Sequence, residues 1–221
     1  MFLGHFAFGL AAKRVSPMLS LGLLFGAAQL ADIVWPNLVL AGVEQVEIDP
    51  GATPVTPLHF VSYPWSHSLT ALCGWGMALA AIVILWKKAR QLDAAVVALL
   101  VVSHWVLDVI SHVPDMPLSI SGNTRLGLGL WRSLPWTLVV ELALLVVGTA
   151  IYLRSTRARD RIGSIGLGVL LTVLVALYAA SLFGPPPPSV KALALSAEGL
   201  WLFLLLGWWV DRHREPVAVQ H

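Results

Sequence analysis

Long apolar stretches dominate this sequence and restrict its fold more than any other feature. The hydrocarbon core of a bilayer is about 30 Å thick, and a helix of roughly 20 apolar residues crosses it. Six stretches reach that length, and a shorter one at residues 2–12 predicts a half-helix packed inside a bundle. The six are residues 18–40, 66–86, 93–112, 134–153, 162–183 and 190–210. The sequence therefore predicts an all-α integral membrane bundle of six transmembrane helices plus a short N-terminal half-helix.

Composition supports this class of protein. Of 221 residues, 57% are hydrophobic and only 12% are charged, whereas a soluble domain carries about 25% charged residues. A water-soluble globular fold and a disordered chain are both excluded. The net charge of +2 indicates no nucleic-acid partner, and the single Cys73 cannot form an internal disulfide or a cysteine-based metal cluster. We interpret residues 1–221 as a single transmembrane domain, with motifs in residues 1–145 and additional helices within residues 162–210.

Basic residues alternate between the connections that join the predicted helices. Eleven of the 14 lysines and arginines lie in connections on one side of the bundle, and three lie on the other side. Because basic residues accumulate on the cytoplasmic side of a membrane, the first side is predicted to be cytoplasmic, together with the C-terminus. The proline-containing connection at residues 41–65 then forms an irregular cap on the outer side.

Histidines and acids lie at one depth in the predicted helices, close to their outer ends. An ionisable side chain at mid-bilayer costs about 2.5–3.5 kcal/mol, so it is retained where it pairs, binds a ligand or takes part in chemistry. His104, Asp108 and His112 recur at intervals of four, which places them within about 80° on one helical face. The remaining members come from other segments and are His5, Asp32, His67, Glu141 and Glu198, while Asp115 follows the third long helix.

Imidazoles and carboxylates without thiols are typical of a site for a divalent metal. Such a set favours zinc, with manganese or iron as alternatives. The predicted ligands are His5, Asp32, His67, His104, Asp108 and His112. They exceed the needs of one tetrahedral ion, so the sequence predicts one or two ions, with Asp108 as a bridging carboxylate.

Such a site would activate water for hydrolysis, and nearby residues are predicted to assist. A bound metal lowers the pKa of its water toward about 7 and so supplies hydroxide as a nucleophile. Glu141 or Asp115 would then transfer protons as the catalytic acid or base. Arg125 or Arg132 would bind the substrate by neutralising a phosphoryl group.

Four short motifs carry a family resemblance: Gly4-His5, Ala31-Asp32, Ser66-His67-Ser68 and His104-x-x-x-Asp108. With them, residues 1–145 resemble the bacterial inner-membrane family of LexA-regulated, membrane-bound, metal-dependent hydrolases. The order of the motifs is more distantly similar to the zinc-dependent phospholipase C and P1 nuclease group, which are helical enzymes that cleave phosphoesters. The resemblance implies a bacterial inner-membrane location and a ligand set of His5, Asp32, His67, His104 and Asp108.

The sequence departs from that family at two places. Ala31 stands where the family usually has proline, and Tyr63-Pro64-Trp65 stands where it usually has His-Arg-Gly.

Three functions from different classes fit these residues. The first is a hydrolase that acts on a phosphoester or lipid-like substrate at the outer leaflet, with membrane lipid as its partner. The second is a non-enzymatic membrane subunit or scaffold that contains a structural metal or paired acids. The third is an ion or proton transporter. It is less favoured because a transport path needs polar groups at most depths, whereas the histidines and acids of this sequence lie at one depth. The sequence leaves the oligomeric state open.

Overall fold

The chain is mostly helical in the computed structural model, which describes residues 1–87 and 89–217. The α-helices within these ranges are α1 (Phe2–Ala12), α2 (Leu21–Ala28), α3 (Leu30–Leu40), α4 (Pro64–His67), α5 (Leu69–Lys87), α6 (Gln91–Ser111), α7 (Leu134–Ser155), α8 (Arg161–Phe183), α9 (Val190–Ala197) and α10 (Leu200–Arg212). The strands are β1 (Gln45–Ile48), β2 (Leu58–Ser62), β3 (Met116–Pro117), β4 (Arg125–Leu126), β5 (Thr156–Ala158) and β6 (Arg214–Pro216). They form three antiparallel pairs, β1–β2, β3–β4 and β5–β6.

Four helical runs in the described ranges are long and apolar enough to cross a membrane: Gln91–Ser111, Leu134–Ser155, Arg161–Phe183 and Val190–Arg212, the last being α9 and α10 together. The bent pair of α2 and α3 would be a fifth. Within α5, the apolar run Leu69–Leu85, counted over the residues whose side chains are described, is shorter than these four runs. The structure therefore supports a helical protein with several candidate membrane spans, and it does not confirm all six.

Three of the predicted spans are interrupted where the sequence suggested continuous helices. The span predicted at residues 190–210 divides into α9 and α10 at residues 198–199. The span predicted at residues 18–40 divides at Gln29, and its two halves are bent by 56°. The span predicted at residues 66–86 starts only at Leu69, because Ser68 has extended backbone angles. The Ser68 hydroxyl accepts a hydrogen bond from the Ala71 N–H, so this serine caps the longer helix. The preceding residues form the separate helix α4.

The half-helix predicted at residues 2–12 is present as α1 and lies in the core. Its side chains Leu3, Phe6 and Leu10 are fully buried and join a cluster with residues of α2, α7, α8 and α10. A helix of 11 residues is marginal by itself, so tertiary contacts have to stabilise it. The close approach of α7 depends on Gly148, where an added Cβ would lie 2.4 Å from the carbonyl oxygen of Ala7.

Both ends of α1 are attached to other helices by buried charged groups. At its N-terminus, the Glu141 carboxylate of α7 accepts hydrogen bonds from the backbone N–H groups of Phe2 and Gly4 at 2.9 and 2.8 Å. At its C-terminus, the Lys13 ammonium donates to Asp211 of α10 at 2.5 Å, and Tyr152 donates to the same carboxylate at 2.8 Å. The depth pattern of the sequence did not predict this second polar cluster at the opposite end of α1.

Part of the predicted irregular cap is regular. The strands β1 and β2 form a hairpin within residues 41–65, and Val46 and Tyr63 pack there with Trp35 and Met116. This small apolar cluster fastens the cap to α3 and to the connection after α6. The all-α prediction therefore holds for the bundle, to which the short strand pairs are added.

Replacing Gly148 with alanine should destabilise the packing of α1 against α7. The new methyl group would press on the backbone of Ala7, which cannot move independently of its helix. We expect a loss of about 1–3 kcal/mol in the free energy of unfolding, the usual range for overpacking. Tryptophan fluorescence during thermal unfolding in detergent would measure it. The control is Gly168→Ala in α8, where an added Cβ meets no described atom within 4 Å. Equal losses in the two variants would contradict the close approach.

Candidate metal site

Five of the six predicted ligands come together between helices of the bundle. They are contributed by α1, α3, α4 and α6 and form two overlapping groups whose ligand atoms lie within 4.8 Å of one another. One group is His5, His104 and Asp108, and the other is Asp32, His67 and His104. His104 belongs to both groups, so the five residues form one continuous cluster.

Asp108 lies between the three imidazoles. Its Oδ1 atom is 3.1 Å from His5 Nε2, and its Oδ2 atom is 3.0 Å from His104 Nε2 and 3.9 Å from His67 Nε2. The backbone nitrogen of Met1 also contacts Oδ1. The carboxylate thus belongs to one group and also lies near His67 of the other, and its role as a bridging ligand stays a prediction.

Asp32 completes the cluster from the opposite side. Its Oδ1 atom is 3.4 Å from His67 Nε2 and 3.8 Å from His104 Nε2. The Asp32 side chain is 31% exposed, whereas those of His104 and Asp108 are 0% and 3% exposed. The cluster is therefore closed around Asp108 and open at Asp32.

The hydrogen bond on the far side of His104 orients its ring. His104 Nδ1 is 2.8 Å from the carbonyl oxygen of Ala28, the last residue of α2. A carbonyl only accepts hydrogen bonds, so Nδ1 has to carry the proton. In the neutral ring, Nε2 then presents a lone pair toward Asp108 and Asp32, and this buried atom has no hydrogen-bond partner among the described residues. A lone pair that faces carboxylates calls for a positive charge between them.

A relay of two further residues orients His67 in the same way. The Ser66 hydroxyl donates to Glu44 at 2.5 Å and lies 2.7 Å from His67 Nδ1. Because a carboxylate only accepts, Ser66 uses its proton on Glu44 and accepts from Nδ1–H of His67. His67 Nε2 is thereby left with a lone pair toward Asp32. Such partners behind a metal-binding histidine fix its tautomer and ring position.

His5 and His104 stack face to face, with ring centroids 3.7 Å apart and planes only 4° from parallel. Two imidazolium rings at this separation would repel each other, so the stacking favours at least one neutral ring. Neutral imidazoles are the form that binds metal ions.

The residues present fit a divalent metal by this donor set and by these distances. Two ligands bound to one ion at 2.0–2.2 Å can be at most about 4.4 Å apart. The Asp108–His104 and Asp32–His67 pairs, at 3.0 and 3.4 Å, satisfy that limit. Among the described residues, the buried histidines and aspartates could therefore hold a metal ion.

His112, the sixth predicted ligand, is not part of either group, and its role as a ligand stays a prediction. The helix α6 ends at Ser111, and the backbone of His112 is extended with ψ of 153°. The helical repeat that would align it with His104 and Asp108 stops there. Its Nδ1 atom lies 3.0 Å from Asp115, and its ring packs on Trp131 with centroids 4.1 Å apart.

Asp115 belongs to this second contact rather than to the ligand groups. Tyr63 donates to the Asp115 carboxylate at 3.0 Å. Burial and the nearby Asp115 carboxylate raise the pKa of Tyr63 well above its usual range, so the phenol keeps the proton it donates. The predicted proton-transfer role of Asp115 has no support from these contacts.

The two predicted substrate-binding arginines also lie outside the ligand groups. Arg125 in β4 donates to the carbonyl oxygen of Asp115 at 3.1 Å. Arg132 is exposed at the end of a 3₁₀ turn, Leu130–Arg132. Both lie in the connection between α6 and α7, as predicted, and their role in substrate binding stays a prediction.

Glu141, predicted to transfer protons, contacts the backbone of α1. Its two carboxylate oxygens accept from the N–H groups of Phe2 and Gly4, so it caps the N-terminus of α1. These are donors that a helix leaves unpaired at its start. Glu141 is thus a positioning residue for the helix that carries His5, and nothing in these contacts supports proton transfer.

Sequence reasoning missed the role of Glu44. The acid lies in the outer connection, yet it is only 2% exposed and accepts from the N–H groups of Trp65 and Ser66 as well as from the Ser66 hydroxyl. The Ser-His pair is visible in the sequence. Its acidic partner, 22 residues earlier, gives no local signal.

Comparisons with known proteins identify no relative of this chain. No protein-family model matches this chain, and no curated protein or solved structure matches it significantly. The resemblance based on the four motifs therefore stays a prediction.

Replacing Ser66 with alanine should weaken metal binding about 10–100-fold, the usual effect of losing a partner behind a ligand histidine. The ring of His67 would lose the acceptor for Nδ1–H, and Glu44 would lose a donor. Competition with a chromophoric zinc chelator would measure the affinity. The control is Ser68→Ala, which removes a hydroxyl two residues away that contacts Thr70 and Ala71. An affinity unchanged in Ser66→Ala would be evidence against the relay.

Replacing Glu141 should release the N-terminus of α1. We expect Glu141→Ala to lower the free energy of unfolding by about 1–3 kcal/mol, because two buried N–H groups lose their acceptor. Glu141→Gln retains one acceptor oxygen and should have an intermediate effect. Thermal unfolding of both variants in detergent would test this order. Wild-type stability in both variants would show that Glu141 does not position α1.

Proposed function

We propose that this chain is a membrane-embedded, metal-dependent hydrolase of the bacterial inner membrane. The observation that carries the proposal is the convergence of three imidazoles and two carboxylates from four separate helices in an apolar bundle. The five residues are also those that the family resemblance implies as ligands. Chance would not bring costly polar side chains from distant segments to one point.

His5, Asp32, His67, His104 and Asp108 would hold the ion. Zinc is the proposed metal, with manganese and iron as alternatives, and two overlapping groups are compatible with one or two ions. When bound, the metal would lower the pKa of its water and so supply hydroxide for hydrolysis. Asp32, as the exposed ligand, is the residue next to which a substrate can approach.

We propose that the site faces the outer side of a bundle with six spans and a cytoplasmic C-terminus. The support is the distribution of basic residues, eleven on one side of the predicted helices and three on the other. The substrate would be a phosphoester or a lipid-like molecule of the outer leaflet. Arg125 and Arg132, in an outer connection, would contact its anionic group.

A structural metal site in a non-enzymatic subunit is the second candidate. The near-complete burial of His5, His104 and Asp108 favours it, because structural sites are closed. The exposure of Asp32 favours catalysis, because catalytic sites keep an open position. A transport path is less supported. Between His5 and Lys13, the residues 6–12 of α1 carry no polar side chain.

Replacing His104 or Asp108 with alanine should abolish metal binding, because each contributes to the centre of the cluster. Zinc content of the purified variants, measured by elemental analysis, would test this. The matched control is His112→Ala on the same segment, which should keep wild-type zinc. If a variant does not fold, His104→Gln and Asp108→Asn keep similar volumes. Full zinc retention in the His104 and Asp108 variants would contradict the site.

A further inference from the structure

A lateral cavity of about 620 Å³ lies between α3, α8 and the pair of α9 and α10. Its walls are almost entirely apolar, and among the described residues Asp32 is the only ionisable one that lines it. The two serines in the wall, Ser181 and Ser196, donate to carbonyl oxygens of their own helices at 2.7 and 2.8 Å. Their hydroxyl protons are therefore used within the helices.

The cavity opens sideways, on the face of the helices that points away from the rest of the bundle. Leu177 and Leu202 line it and are 48% and 62% exposed, on faces that would contact hydrocarbon in the proposed membrane arrangement. Water is not stable in an apolar space open to hydrocarbon, whereas an acyl chain is. The chemistry of the walls therefore selects an alkyl chain as the occupant.

Asp32 joins this cavity to the ligand cluster. It lines the cavity and also lies 3.4 Å from His67 Nε2 in the cluster. Trp35, one turn further along α3, lines the same cavity, and its buried indole N–H has no acceptor among the described residues. An unpaired buried donor is costly, and a ligand with an ester or phosphate oxygen would supply the acceptor.

A second apolar cavity, which we call the second groove, shows that apolar volume alone does not distinguish the cavity beside Asp32. It measures about 650 Å³ between α1, α6 and α7, and none of the described residues that line it is ionisable. The two cavities are similar in size and in apolar character. They differ in that only the first contains a member of the ligand cluster.

We propose that the cavity beside Asp32 binds one acyl chain of a bilayer phospholipid and so presents the ester or phosphate group of that lipid to the ligand cluster. The proposal rests on the proposed function for the polar end, because a carboxylate without a bound cation would repel a phosphate. The substrate class is then a phospholipid that enters sideways from the bilayer.

The experiment uses a phosphatidylethanolamine with a diazirine in one acyl chain, mixed into liposomes that contain the full-length protein. After irradiation, mass spectrometry locates the crosslinked peptides, and zinc content is measured on the same samples. The test variant is Ala197→Trp, which fills the cavity from the end of α9. The control is Val147→Trp, which fills the second groove from α7. Ala197→Leu gives a smaller obstruction if the tryptophan variant does not fold.

We expect crosslinks to concentrate on α3, α8 and α10 in the wild type. Ala197→Trp should lower them about tenfold, the effect of removing roughly two methylene groups from an apolar environment. Val147→Trp should leave the number of these crosslinks unchanged, whereas chelation of zinc should lower it. Crosslinks that divide equally between the two cavities, or that survive Ala197→Trp, would overturn the acyl-chain site even if zinc is retained. Crosslinks at the cavity in a protein that binds no zinc would instead overturn the proposed function and leave the acyl-chain site standing.

Discussion

The electrostatic balance around Asp108 and Asp32 is the constraint on which the ligand cluster and the helices around it depend. A buried carboxylate costs several kcal/mol unless cations or hydrogen bonds compensate it. Here the Met1 nitrogen contacts Asp108, and the other near groups are imidazoles. Two of these rings, His67 and His104, use their Nδ1 protons on other acceptors. Their Nε2 lone pairs then face the carboxylate oxygens. Neutral rings donate no hydrogen bond to the carboxylate oxygens that these lone pairs face, whereas a divalent cation would bind the lone pairs and the carboxylates together.

The helix α1 contributes His5 to that balance, and its position depends on contacts with neighbouring helices. It is too short to cross the bilayer, and its apolar side chains are buried against several neighbours. Glu141 attaches its first turn, and the Lys13–Asp211 pair attaches its end. Both attachments are charge-assisted hydrogen bonds in an apolar environment, where they are stronger than in water. The position of His5 is therefore set in part by residues outside the ligand cluster.

The sequence predicts those features that follow from the cost of polar groups in an apolar environment. The helices α6, α7 and α8 begin and end within a few residues of the predicted stretches, because length and hydropathy determine them. Five of six ligands converge for the same reason. His112 lies outside both groups because helical periodicity ends one residue before it. The roles of Glu44 and Glu141 depend on contacts across 22 and more than 130 residues, which no local pattern reports.

The break between α2 and α3 determines which face of the cluster is open. A straight helix through residues 18–40 would continue in the direction of α2, whereas the observed bend of 56° sends α3 toward α9. Asp32 lies in the first turn after this bend, so it reaches His67 on one side and lines the lateral cavity on the other. The residue at the break is Gln29, which is neither a proline nor a glycine. Its side-chain amide is fully buried and has no hydrogen-bond partner among the described residues. The local sequence therefore does not dictate the bend. The hydrogen bond from His104 to the Ala28 carbonyl supplies a tertiary contact at that point, which couples the geometry of the break to the ligand cluster itself.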